Sequence, residues 1–210
     1  MMPRRLVQLY AGLVLYGLSL GLMVEAGLGL DPWDVFHQGV SERTPLSIGM
    51  VTILVGALVL LAWIPLRQRP GVGTVSNIVV IGLVMDAALA LLPTPDLLLV
   101  RIAFMVAGVG LNGVATAAYI GARLGPGPRD GLMTGLVRRT GLSVRLVRTT
   151  IEVIVLGIGW LLGGVVGLGT VAYALAIGPI VHLLLPLFTV KLNVSAVPTP
   201  SPRPQEQPEA

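Results

Sequence analysis

Apolar residues fill this chain in long runs broken by short polar or Gly- and Pro-rich pieces, without the strict alternation of a half-buried strand. Six runs reach the roughly 20 residues that a helix needs to cross a bilayer. They lie near residues 6–26, 47–66, 74–92, 100–121, 149–166 and 171–190. Pro93-Thr94-Pro95 breaks the chain after the third, and Gly163-Gly164 with Gly167-Leu168-Gly169 after the fifth. The longest pieces between runs are 27–46 and 122–148. Each starts with Gly and Pro and then reads Asp-x-x-x-x-Gly, from Asp34 to Gly39 and from Asp130 to Gly135. Asp34 and Asp130 suit the start of a short helix, where a carboxylate satisfies free backbone N–H groups. Val35, Phe36 and Val40, or Leu132, Met133, Leu136 and Val137, give that helix an apolar side. Two placements fit it: a re-entrant half-helix reaching into the protein, or an amphipathic helix lying flat at the interface.

The pattern occurs twice, at an offset of 96 residues without a gap. Gly29, Pro32 and Asp34 align with Gly125, Pro128 and Asp130; Arg43, Thr44, Leu46 and Ser47 with Arg139, Thr140, Leu142 and Ser143; Gly71, Gly73, Thr74 and Val75 with Gly167, Gly169, Thr170 and Val171. Residues 11–91 and 107–187 share about 25 identical positions, many of them Pro, Asp, Arg, Thr or Gly rather than bulk apolar residues. The expected fold is all-α and polytopic: six transmembrane helices as two three-helix repeats, 1–96 and 97–194, with a disordered Pro-rich tail at 195–210. Three spans per repeat is odd, so the second copy enters the membrane from the opposite face. The copies then form an inverted pair about an axis in the membrane plane.

Composition agrees with a membrane chain. Of 210 residues, 54% are hydrophobic and 11% charged, against roughly 25% charged in a soluble domain; the mean hydropathy is +0.88. The first apolar run follows basic residues as a signal peptide does, but it is longer than a typical signal core and lies inside the repeat, so it is read as a retained span. Basic residues set the direction. With the N-terminus inside, the cytoplasmic segments hold Arg4, Arg5, Arg67, Arg69, Arg123, Arg129, Arg138, Arg139, Arg145, Arg148, Lys191 and Arg203, and the outer ones only Arg43 and Arg101. Both termini are expected in the cytoplasm of a bacterial cell, with the chain passing several times through the plasma membrane.

The net charge of +4 sits at membrane edges, so nucleic-acid binding is not indicated. The absence of cysteine excludes disulfides, thiolate catalysis and Cys-based metal sites. Two histidines far apart in sequence offer no His-rich metal site. No catalytic set or cofactor motif is visible, so an enzyme is not expected.

Candidate chemistry gathers in the two repeated loops. Trp33 and Asp34 in the first, and Arg129 and Asp130 in the second, are candidate binding or gating groups. Arg129 stands where Trp33 stands in the first copy, which makes the loops chemically unequal and mildly favours an anionic solute. Thr74 and Thr170 occupy expected N-cap positions after Gly-x-Gly, where free N–H groups and the helix dipole attract anions; a tight turn explains the motif equally. Asn77 and Asn112 are neutral polar groups within spans, suited to lining a path or joining helices. Asp86 and His182 hold equivalent positions in the third and sixth spans and form a candidate coupling pair, or are simply hydrated near the interface. Glu152 is a candidate gate, or the i, i+4 partner of Arg148. Gly17 with Gly21 and Gly108 with Asn112 suit close helix crossings. Trp33, Trp63 and Trp160 fall near expected edges, as interfacial anchors do.

The order Gly-x-x-Pro-Trp-Asp-Val, Thr-x-Leu-Ser-Ile-Gly, Gly-Val-Gly-Thr-Val-x-Asn and Gly-Leu-Val-Met-Asp resembles the YczE/YyaS/YitT group of small bacterial integral membrane proteins. Gly29, Pro32, Trp33, Asp34, Thr44, Ser47, Gly49, Gly73, Thr74, Asn77, Gly82 and Asp86 carry the likeness. The resemblance implies a multi-span plasma-membrane protein of an uncharacterised family with transport as the expected role, and transfers no substrate residue. The expected function is a small secondary transporter or exporter of a small solute, with the site between the halves. The alternative is a membrane-embedded binding or accessory subunit of a larger transport complex. The expected partners are the lipid bilayer, the solute and, since two-fold inverted folds occur as dimers too, a second copy.

Overall fold

A computed structural model describes residues 2–190. The Pro-rich tail at 195–210 lies outside the described residues. Among them are eight helices and no strand: α1 (Met2–Ala26), α2 (Pro32–Ser41), α3 (Ile48–Trp63), α4 (Val72–Leu91), α5 (Leu98–Gly121), α6 (Pro128–Thr140), α7 (Val144–Leu162) and α8 (Leu168–Phe188). The six long apolar runs and the two short helices between them are all helical. Four helices, α1, α4, α5 and α8, are long and apolar enough to cross a membrane. α3 is apolar but has 16 residues, and α7 carries Arg145, Arg148 and Glu152 along its 19. The chain is a helical membrane protein.

α1 and α5 form the central pair, and glycines let them approach. A Cβ on Gly12 would strike Tyr119 and Ala118 of α5, and one on Gly108 would strike Met23 and the Ser19 carbonyl of α1. α4 packs on α1 where Gly17 meets Val84 and Gly21 meets Ala88; α8 packs on α5 where Gly113 meets Ile180. Asn112 joins three helices. Its amide donates to Ser19 Oγ at 2.9 Å, and its carbonyl accepts from Tyr173 Oη at 3.0 Å.

Contacts recur at the sequence offset of 96. The Gly73 amide donates to the Leu124 carbonyl at 2.8 Å, and the Gly169 amide to the Leu28 carbonyl at 2.8 Å. Arg5 donates to the Ala122 and Arg123 carbonyls at the end of α5, and Arg101 to the Ala26 and Gly27 carbonyls at the end of α1. A cation on the orphan carbonyls of a helix C-terminus is favourable by about 0.3–1 kcal/mol. Gly29 and Gly125, with φ of 114° and 133°, turn the chain toward the two short helices. A Cβ on either would also hit the threonine of the other half, Thr170 or Thr74.

Three expectations need correction. The caps of α4 and α8 are Gly71 and Gly167, not the threonines, which sit at the third helical position and accept from the cap amides at 3.1 and 3.3 Å. Asp34 does not cap α2; Asp31 does, accepting from the Trp33 and Asp34 amides at 2.8 and 3.1 Å. Trp33 and Trp63 are buried, and only Trp160 is exposed. Trp63 Nε1 donates to the Pro128 carbonyl at 3.1 Å, and its ring lies where a Cβ on Gly131 of α6 would go.

The repeat equivalence fails at one pair. α3 lies along α4, whereas α7 and α8 barely touch, and α7 packs on α2 instead. Gly49 and Gly82 seat each helix against the other's carbonyl, and Asp86 accepts from Ser47 Oγ and from the Gly49 amide at 2.8 Å. The equivalent residues are Arg145, Gly178, His182 and Ser143. A Cβ on Gly178 would meet nothing within 4 Å.

Candidate functional site

The two short helices bring their first turns together. Pro32 and Pro128 hold their first helical positions, where a missing N–H costs nothing and the fixed φ suits a helix. α2 is set between α3 and α7. Gly39 approaches the Gly159 carbonyl, Gly164 approaches the Val35 carbonyl, and Asp34, Val35 and His37 are buried. It is therefore enclosed by protein, not laid on the surface. α6 rests on Trp63 and Leu66 through Gly131 and Gly135.

Arg129 of α6 reaches the first turn of α2. Its Nη1 lies 3.3 Å from Asp31 Oδ1 and its Nη2 3.4 Å from Asp34 Oδ1. Its guanidinium stands 5.1 Å from the Trp33 ring centroid, within cation–π range. Both ion-pair distances are at the long end for N–H···O bonds, and Arg129 remains 29% exposed. It is held loosely.

Behind Asp34, His37 Nδ1 lies 3.0 Å from Asp34 Oδ1 and 3.2 Å from Thr52 Oγ1. Thr52 uses its proton on the Ile48 carbonyl, so its oxygen and the carboxylate both accept from His37 Nδ1–H, which assigns the tautomer. Burial, then the Arg129 charge, pushes the His37 imidazole down to about 3, leaving it neutral. Burial, then Asp34, pushes the Asp31 carboxyl up to about 7 against the pull of Arg129. Asp31 Oδ2 and Asp34 Oδ2 are buried without a hydrogen-bond partner.

Asp31, Trp33, His37, Thr52 and Arg129 border a cavity of about 460 Å³. Its walls come from both halves: α1, α2, α3 and α4 on one side and α5, α6, α7 and α8 on the other. Tyr16, Trp33, Tyr119 and Tyr173 give it an aromatic lining. Tyr119 donates to Asp130 Oδ2 at 3.2 Å. The exposed members of the lining are Arg148, Gly178 and His182, all from α7 and α8, so the cavity opens where those helices part.

Trp33, Asn77, Arg129, Asp130, Glu152 and His182 therefore share one cavity. Asp34 does not line it and contacts His37 and Arg129 instead. Thr74 and Thr170 do not line it, and the Gly73 and Gly169 amides beside them already bond carbonyls. Asp86 is apart from the cavity, occupied at the start of α3. Glu152 pairs with Arg148 at 2.8 Å. Sequence reasoning missed Asp31, His37, Thr52 and the three tyrosines. Asp31 carried a signal, since an Asp directly before a Pro at a helix start is a capping pattern, and His37 stands three residues after Asp34 on the same face.

Comparison with known proteins places this chain in a defined group. Residues 3–186 match the model of a family of unknown function, DUF6198. An uncharacterized protein of Haemophilus influenzae is 44% identical over 173 residues, covering 82% of this chain and 79% of the relative. The uncharacterized membrane protein YczE of Bacillus subtilis is 34% identical over 186 residues, covering 88% and 86%. The uncharacterized protein YyaS of the same bacterium is 23% identical over 180 residues, covering 84% and 90%. No solved structure matches. This chain belongs to the DUF6198 family of small bacterial membrane proteins.

Proposed function

We propose that this protein is a small secondary transporter that moves a solute through the cavity between its halves by alternating access. It is not an enzyme. It crosses the plasma membrane with six helices, α1, α3, α4, α5, α7 and α8, arranged as two inverted repeats with both termini in the cytoplasm. α2 and α6 are the re-entrant helices whose first turns meet at the site.

The single observation that carries this reading is the inequality of two equivalent helix pairs. α3 and α4 pack together and are tied at the Ser47–Asp86 end, while α7 and α8 scarcely meet, and His182 near the end of α8 is exposed. An inverted repeat with one pair closed and the other open has a second state of similar energy, in which the roles exchange. The basic residues Arg138, Arg139, Arg145 and Arg148 flank the open end, so the form described here faces the cytoplasm.

The chain has no cysteine, which makes the test direct. Ser47→Cys with Asp86→Cys, and Ser143→Cys with His182→Cys, are each treated in membranes with a short bifunctional thiol linker. The first pair is expected to cross-link fast. The second is expected to cross-link slowly, as molecules pass through the opposite state, and capture there is expected to free the first end for labelling. If the second pair never links while the first always does, there is one state only and alternating access fails.

A further inference from the structure

The cavity opens sideways, and the depth of that opening bears on what can enter. One face of α8 lines the cavity, through Tyr173, Ile177, Gly178, Val181, His182 and Leu185. Gly178 and His182 on that face are exposed. Gly178 is the eleventh of the 21 residues of α8, a helix long and apolar enough to cross a membrane. In a bilayer it lies at the level of the hydrocarbon core, about 15 Å from either end of the helix. A Cβ on Gly178 would meet nothing within 4 Å, and α7 barely touches α8. The counterpart Gly82 is buried, and a Cβ there would strike the Gly49 carbonyl and Ile53 of α3. The second half thus leaves open a side that the first half closes, and at the level of Gly178 that side faces lipid rather than water.

Polarity along the opening follows an order. Arg148 and Glu152 lie in the first half of α7, and His182 in the last third of α8. The short link at 163–167 folds α8 back along α7, so these polar lining groups fall toward the same end. Toward mid-helix the α8 lining is Ile177, Gly178 and Val181, without a polar side chain. A polar end followed by an apolar middle is the order of head group and chain in one leaflet of a bilayer. The cavity, at about 460 Å³, has the size that receives one drug-sized molecule, which suits one hydrocarbon chain rather than the two of a membrane phospholipid.

We infer that the cavity takes a single-chain amphiphile from the bilayer through the opening between α7 and α8. Its polar group stands level with Arg148, Glu152 and His182, and its chain passes Gly178. The assignment rests on the reading of α8 as a span and of this cavity as the solute's site. A water-soluble solute has no use for an opening at that depth.

The test uses the full chain in lipid vesicles. The protein has no cysteine, so Thr116→Cys, on the α5 wall of the cavity, carries a fluorophore at one place. Three nitroxide quenchers share a choline head: a single-chain lysophosphatidylcholine labelled in its chain, a two-chain phosphatidylcholine with the same labelled chain, and water-soluble TEMPO-choline. The single-chain probe is expected to quench saturably and the other two weakly. Gly178→Trp, which plugs the opening, is expected to weaken that quenching by about tenfold or more in apparent affinity. Gly178→Leu, a smaller plug, is expected to give part of the loss and carries the comparison if the tryptophan variant does not insert. A fluorophore at Leu175→Cys, on the exposed outer side of α8, reports insertion and is expected to be quenched equally with and without the plug. Equal quenching by TEMPO-choline means entry from water, and equal quenching by the two-chain lipid means filling by bulk lipid. Either result, or quenching that the plug leaves unchanged, overturns the assignment. The cross-linking of the two cysteine pairs separates this from the transport reading. Chain entry with one cross-linked state only sinks alternating access and leaves the amphiphile site standing. Two states without chain entry do the reverse.

Discussion

The α3–α4 pair and the α7–α8 pair begin from the same sequence frame and end in different states. In the first, small residues bring the helices to backbone contact at Gly49 and Gly82, and Asp86 ties the start of α3 to α4. In the second, Arg145 replaces Gly49, Glu152 replaces Gly56 and His182 replaces Asp86. A long cation cannot reproduce a glycine contact, and an imidazole is a poor substitute for a carboxylate that accepts from a helix start. The lesson is that the copies share a frame but not a seal. Where the first pair has glycines, the second carries larger, charged side chains.

Substitutions at equivalent positions sharpen or break that contrast. The largest difference is expected at the paired glycines. Gly82→Ala drives a Cβ into the Gly49 carbonyl and Ile53 and is expected to lower stability by about 1–3 kcal/mol. Gly178→Ala meets open space and is expected to leave stability unchanged or raise it by up to about 1 kcal/mol through helix propensity. Thermal unfolding of the two variants checks this; equal losses would mean that α7 and α8 are packed together after all. Next is Asp86→Ala, which removes the acceptor for Ser47 Oγ and the Gly49 amide and is expected to cost about 1–2 kcal/mol. His182→Ala, with no hydrogen bond to lose among the described residues, is expected to cost nothing measurable in the same melts. The smallest effect is expected for Glu152→Gln. Its pair with Arg148 is an exposed i, i+4 contact, worth below about 0.5 kcal/mol. A larger loss in thermal unfolding would show that Glu152 already works as part of a seal.

Much of this architecture was legible in the sequence because apolar length and Gly–Pro breaks are local signals. The long helices follow the apolar runs, and Asp34 and Arg129 converge because two Gly-x-x-Pro turns point their short helices at each other. What stayed hidden depends on neighbours distant in sequence. Trp63 lies near the end of its run whether it faces lipid or, as here, Gly131 of α6. Tyr16, Tyr119 and Tyr173 look like ordinary residues of apolar helices until α1, α5 and α8 are placed around one cavity. The Gly73 and Gly169 amides beside Thr74 and Thr170 look free for an anion until the Leu124 and Leu28 carbonyls are placed on them. The unequal pairs were written in the chain, as Gly49 against Arg145 and Gly56 against Glu152.

The exchange in which Gly73 bonds Leu124 while Gly169 bonds Leu28 has a further meaning. Reciprocity of that kind is what an isologous contact between two identical surfaces produces. Two separate identical chains would have to carry the same residue at position 33 and at its counterpart, so arginine would face arginine or tryptophan would face tryptophan. Carrying both surfaces in one polypeptide lifts that constraint. One copy can keep the aspartates and the aromatic ring while the other supplies Arg129, and a lopsided cluster becomes available to a chain whose backbone contacts still recur in pairs.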